Sequence, residues 1–187
     1  MKRIFVLLVI GLLYGSVVSA APAATPEELS RQYFQLLKGQ RWSEIARLYD
    51  GNALADFRDM LSFLQELPDE NASPALETFF GQGANRASVA ALSDQEFFAG
   101  FFRGVMGQAA RLGQLDFKRV DILGSVPEGS AVCHVVGRIH VGVGEITMES
   151  MEVISFRNNG DTWGILLQGK IKGMAQQIRK ALAEKRP

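Results

Sequence analysis

The residues best suited to covalent or metal chemistry crowd into one stretch, AVCHVVGRIHV at 131–141, which holds the only cysteine and both histidines. Cys133 beside His134 suggests a nucleophile with its base, or part of a metal site. The alternation of the stretch argues against both. Cys133, Val135 and Ile139 share one parity, and His134, Val136, Arg138 and His140 share the other. A strand sends sequence neighbours to opposite faces, so this thiol and this imidazole cannot come within hydrogen-bond reach. His134 and His140 share a face, but their spacing along a strand is about 20 Å, too far to share one ion. No metal site and no cofactor is expected, and Cys133 reads as a small buried hydrophobe.

Glu152 is the acid that parity singles out. It alternates with Ile154 and Phe156 and should point towards the core side of its sheet. A buried carboxylate must be paired, protonated or set in a wet cavity. One reading makes Glu152 a general acid or base, working with a helix tyrosine such as Tyr33 or Tyr49. The other makes it half of a structural pair with a helix arginine, or a residue displaced by a bulge. Nothing else in the chain assembles a catalytic set: no phosphate-cradling glycine loop and no Gly-x-Ser-x-Gly elbow occurs.

The elements that must position these residues change period halfway along the chain. Thr25-Pro26-Glu27-Glu28 forms a capping box with a first-turn proline, and Leu29, Tyr33, Leu36 and Leu37 then recur at helical spacing until Gly39. A short helix carries Trp42, Ile45, Leu48 and Tyr49 and is expected to stop at Asp50-Gly51-Asn52; a third runs from Leu54 to Leu67. Ser73-Pro74 is expected to open another helix, GQGANRAS to be an irregular connection, and Ser93 with Glu96 to cap a helix bearing Phe97, Phe98, Phe101 and Phe102. That phenylalanine row has the spacing of one broad core face. From Leu115 the period becomes two, over 116–126, 130–141, 145–157 and 161–169, with VPEGS, GVGE and NNGD as turns. A final amphipathic helix presents Ile171, Met174, Ile178 and Leu182. The expected fold is α+β: N-terminal helices packed on a curved four-stranded antiparallel meander, closed by a C-terminal amphipathic helix.

Two-residue turns give a trial register in which Phe156 faces Trp163, Ile122 faces Val135 and Ile139 faces Met148. It places Val120, Ile122, Val126, Cys133, Val135, Ile139, Ile146, Ile154 and Trp163 towards the helices. The other face carries Leu123, His134, Val136, Arg138, His140, Glu149, Met151, Val153, Leu166 and Gln168, with Arg138 opposite Glu149. An apolar patch on an outer sheet face marks a partner surface. His134, Val136, Arg138, Met151, Val153 and Leu166 are therefore read as the surface of a sheet-mediated homodimer.

The opening residues read as an export signal: Lys2-Arg3, an apolar run over 4–14, and small residues at Val18 and Ala20 before a cleavage after Ala20. That divides the chain into a signal peptide at 1–20 and a single domain at 21–187, secreted or periplasmic, with no transmembrane segment once the signal is gone. Lys plus Arg and Asp plus Glu each number 20, and removing Lys2 and Arg3 leaves a slight acid excess, which argues against a nucleic-acid partner. The stretch from Lys170 to Arg186 is rich in cations, which read as a solvated helix face.

The opening TPEELSRQYFQLLKGQRWSEIARLYDGNALADF, with its Gly-x-x-Trp step and Tyr49-Asp50 pair, and LSDQEFFAGFF before the sheet resemble the NTF2-like, or SnoaL-like, superfamily. The resemblance covers 25–169 and implies an α+β cone. The superfamily holds isomerases, dehydratases and cyclases, which place Asp, Tyr or His inside the cone, beside many non-catalytic binding and dimerisation domains. Here both histidines fall outside. The expectation is a non-catalytic binding domain for a small apolar ligand, lipid or protein, with Glu152, Phe101, Trp163 and Tyr49 as ligand contacts. The alternative is an isomerase- or dehydratase-type enzyme using Glu152 with Tyr33 or Tyr49.

Overall fold

The computed structural model describes residues 24–112, 115–143 and 146–184; the segment read as an export signal, its expected cleavage site and residues 144–145 of the second turn lie outside them. Helix α1 (Pro26–Lys38) begins as its sequence dictates. Thr25 accepts from the Glu28 amide, and Glu28 accepts from the Thr25 amide at 2.8 Å. Helices α2 (Trp42–Ala46) and α3 (Gly51–Met60) follow, then a single 3₁₀ turn at Ser62–Leu64. Asp50 does not end the second helix as expected; it starts the third. Its side chain accepts from the amides of Asn52 and Ala53 at 3.0 and 3.3 Å, the role an aspartate fills best at a helix N-terminus.

Helix α4 (Asp69–Phe80) starts after Pro68, so the expected opening at Ser73-Pro74 is wrong. The Pro74 ring falls early enough that the carbonyl it blocks belongs to the first turn. The expected irregular connection contains a short helix, α5 (Arg86–Ala90), boxed by Asn85 and Ser88. Helix α6 (Asp94–Leu112) has the Ser93–Glu96 box that was expected. It packs tightly on α4: a Cβ at Gly104 would lie 2.0 Å from the Phe79 carbonyl oxygen, so only glycine permits this approach. Phe57 of α3 meets Phe97, Phe98, Phe101 and Phe102 of α6, and this ring cluster is the centre of the helical core.

The sheet is a meander in the order β1-β2-β3-β4, all pairs antiparallel: β1 (Leu115–Glu128), β2 (Val132–Val143), β3 (Ile146–Asn158) and β4 (Trp163–Ile165). Helix α7 (Gly169–Glu184) ends the described chain. The order of elements is the α+β arrangement expected from the sequence. The register differs in detail. Phe156 pairs with Ile165 rather than Trp163, because the last turn spans Asn159 to Thr162 instead of two residues. Ile139 faces Ser150, not Met148, and Arg138 faces Met151, not Glu149. Each slip is by two residues, so the faces survive.

β1 is the exception. It is interrupted between Phe117 and Arg119 and again between Ile122 and Gly124. A one-residue bulge reverses parity beyond it. Val126 therefore pairs with His134 on the outer face and is exposed, whereas the unbulged register had placed it in the core. Ile146 keeps its inward parity but lies beyond the reach of the helices, and it too is exposed.

The edge of β4 is covered. Ile165 donates to the Leu48 carbonyl and accepts from Asp50 N–H, a bridge to the segment before α3. Arg157 and Asn159 reach the Asp50 carboxylate at 3.5 and 3.1 Å. Asp50 thus joins the helical half to the last hairpin.

Candidate functional site

Helix α1 crosses the inner face of the sheet and is tied there by Ser125, whose hydroxyl donates to Glu27. That bond holds the Glu27 carboxyl below the usual range. Between α1 and the sheet the packing opens into two adjacent lobes. One, of about 180 Å³, is bounded by Tyr33, Phe34 and Leu37 of α1, Phe117, Ile139 and Ile154 of the sheet, Glu152 and Gln168. The other, of about 150 Å³, shares Tyr33, Leu37, Phe117 and Gln168 and extends to Trp42, Tyr49, Phe98, Phe102 and Met106. Their walls are aromatic because the inward faces of α1, α2 and α6 meet there. Trp42 stacks on Phe102 with ring centroids 6.0 Å apart, and Tyr49 packs on Phe98 at 4.6 Å.

Four polar side chains interrupt this apolar lining: Tyr33, Tyr49, Glu152 and Gln168. The Tyr33 and Tyr49 phenols line the same lobe and interact with each other. Burial pushes both phenols up, Tyr49 well above the usual range, so both are neutral donors at ordinary pH. The charge of Glu152 contributes to the rise at Tyr33. Glu152 itself is turned inward as its parity required, with its side chain 18% exposed. It accepts from the Ser150 hydroxyl at 3.2 Å and is ion-paired to Lys170 in the first turn of α7. The partner is a lysine at the cavity rim, its side chain 69% exposed, not the helix arginine considered from the sequence.

Tyr33, Tyr49 and Glu152, considered together from the sequence, thus line one connected space. Phe101 and Trp163 line neither lobe. Phe101 is fully buried between Phe57 and Phe79, and Trp163 packs at the sheet edge opposite Asn158. Gln168 had been assigned to the outer face and lies instead at the cavity: β4 ends at Ile165, so alternation no longer governs the residues leading into α7. Lys170 had been read as a solvated cation. Neither role carried a signal in the sequence: both follow from where β4 ends and α7 begins.

The outer face is organised around both histidines. His134 contacts Glu128 through Nε2 and Ser155 through Nδ1, each at 2.8 Å. His140 lies between Asp121 at 3.0 Å and Glu149 at 3.3 Å. Arg119 pairs with Asp121 at 2.7 Å, and Arg138 reaches Glu149 diagonally at 3.9 Å. His140 and Arg119 hold the Asp121 carboxyl below the usual range. Between these two polar clusters lie Val126, Val136, Met151 and Val153, with Leu166 half-buried beside them. Cys133 is buried on the opposite face from His134, so the pair is not a catalytic dyad. Among the described residues no cluster of His, Cys, Asp and Glu could hold a metal ion, and no helix is long and apolar enough to cross a membrane.

A further concavity, about 680 Å³, is an open trough between α4 and α6, floored by Gly100 and Gly107 and edged by Glu77, Arg103 and Gln108. It is wide and largely polar, with Phe80 as the one ring in its lining. The smaller aromatic lobes are the better-formed site.

No protein-family model matches the chain, and no curated protein does. Among solved structures it is similar to a chain from Thiobacillus denitrificans assigned as a calcium/calmodulin-dependent protein kinase type II association domain. The two are 14% identical with a TM-score of 0.41, over 79% of this chain and 94% of that one.

Proposed function

We propose that this protein is a non-catalytic periplasmic or secreted binding domain that takes a small apolar ligand between α1 and the inner face of the sheet. The observation that carries the reading is the pair of ring-lined lobes, about 180 and 150 Å³, sharing Tyr33, Leu37, Phe117 and Gln168. A dry apolar cavity of about 150 Å³ admits a benzene-sized molecule, which sets the scale of the ligand body. The neutral Tyr33–Tyr49 pair supplies a hydrogen bond for a single polar group without the cost of a buried charge. In the same proposal, a second copy covers the exposed strip Val126, Met151 and Val153.

Native mass spectrometry of the purified protein tests the cavity: a bound apolar species released on denaturation is expected. Neither a released species nor any saturable binding of benzyl alcohol would remove the reading.

One observation favours a second reading. Glu152 and Tyr33 flank the same lobe, an acid and a hydrogen-bond donor placed as an isomerase- or dehydratase-type reaction needs them. Against it stands the Lys170 ammonium, which occupies the carboxylate that would have to move a proton.

A further inference from the structure

The carboxylate at the cavity has an unusual counter-ion. Glu152 sits on the inward face of β3, among side chains that are otherwise apolar or neutral: Tyr33, Phe34, Phe117 and Gln168 around it. A charge placed there needs a partner, and a structural partner would be fixed and buried. Lys170 is neither. Its side chain is 69% exposed, at the end of a flexible four-carbon stem, in the first turn of a helix otherwise seated by Ile171 and Ala175. The ammonium reaches the acid from solvent, across the rim of the cavity.

The charges around the lobe are few. From β3 come Glu152 and the Ser150 hydroxyl; from α7, Lys170; from α1, the Tyr33 phenol. Lys38 of α1 with Lys118 and Arg119 of β1 line a neighbouring pocket and neither lobe, and the charged ends of Lys118 and Arg119 bind Thr147 and Asp121 on the outer face. The negative field of Glu152 is felt inside: it contributes to raising Tyr33 even with Lys170 in place. An anionic ligand would be repelled by that field. A purely neutral one would leave the acid without a use.

We infer that the cavity selects a small organic cation, an ammonium group on a single-ring or short aliphatic body, with Lys170 as the displaceable internal stand-in for the ligand's own ammonium. The cation pairs with Glu152 among the rings of Tyr33, Phe34 and Phe117, an arrangement that attracts ammonium groups through both ion pairing and ring quadrupoles. The body extends into the second lobe against Trp42 and Phe102. This rests on the cavity being a ligand site at all, as proposed above.

Three probes of one shape and three charges separate the possibilities: benzylammonium, benzyl alcohol and benzoate, titrated into the whole chain at neutral pH. The readouts are calorimetry and the shift of the Trp42 indole N–H signal. Benzylammonium is expected to bind at least about tenfold more tightly than benzyl alcohol, and benzoate most weakly. Glu152→Gln should abolish the ammonium preference, bringing benzylammonium to the affinity that the same variant shows for benzyl alcohol or below. Lys170→Ala should tighten benzylammonium, because an internal competitor is gone. Equal affinity for the ammonium and the alcohol, or weaker ammonium binding in Lys170→Ala, overturns the cation assignment and leaves the cavity reading intact. Failure of all three probes to perturb Trp42 in the folded protein overturns both.

Discussion

The two faces of one strand behave as if they belonged to different proteins. Along β3, Ile154 and Phe156 are 2% and 0% exposed, while Met151 and Val153, their alternating neighbours, are 52% and 51% exposed. The side chains are of similar size and hydrophobicity, so chemistry alone does not separate them. What separates them is cover: α1 and the aromatic wall of α6 lie over the inner face, and no described element lies over the outer. An apolar residue placed opposite a helix contributes to folding. The same residue on the bare face contributes to whatever comes to cover it.

The sharpest way to break that comparison is truncation on either side of it. Ile154→Ala should cost about 2–5 kcal/mol of folding stability. Val153→Ala, one position away, should stay within about 0.5 kcal/mol at protein concentrations too low for association. Chemical denaturation of both variants measures the contrast, and comparable losses would show that the outer face is not free in the isolated chain. Next comes association itself. Met151→Lys with Val153→Lys should shift sedimentation from dimer to monomer and leave the circular dichroism spectrum unchanged. A wild-type monomer at every accessible concentration would remove the second-copy proposal.

A smaller effect sharpens the inner side. Leu37→Phe narrows both lobes and should weaken benzyl alcohol binding by about tenfold or more, with a stability change under about 1.5 kcal/mol. Smallest is the pH dependence of the outer face. The Asp121 carboxyl is held below its ordinary value by His140 and Arg119. In acid the unfolded chain therefore takes up its proton first, and the stabilisation is lost as pH falls from the ordinary aspartate range through the lowered value. Asp121→Asn should flatten that limb of an acid-denaturation curve; an unchanged limb would mean the pairing contributes nothing in solution.

Much of this contrast was readable in the chain, and the parts that were not share a cause. Parity placed Cys133, Val135, Ile139, Ile154 and Phe156 inward and His134, Met151 and Val153 outward, because period-two alternation depends only on neighbours. The caps at Thr25 and Ser93 were equally local. Register was not: loop lengths set it, and the first and last turns are longer than the two residues assumed while the middle one lies one position further along. The β1 interruptions at Lys118 and Leu123 carry no warning in composition, and the one at Leu123 reverses the parity that placed Val126 inward. At the candidate site, Glu152 and the two tyrosines were visible as types out of place among apolar neighbours. Gln168 and Lys170 were not, since their roles follow from where β4 stops, which the covering segment at Leu48–Asp50 fixes from elsewhere in the chain.

The carboxylate of Asp50 has a consequence for the order of assembly. Its partners Arg157 and Asn159 lie 107 and 109 positions further along the chain. Until they arrive, the start of α3 holds an acid with only its own helix amides for company, and Gly164 has yet to pack on its backbone. The N-terminal helices can pack on α6 early, but they are not joined to the last hairpin until that hairpin is made. The latch that joins the two halves closes late, and the cavity walls from α1 and from β3 meet on the same late schedule. A ligand therefore has no complete pocket to enter in a partly synthesised chain.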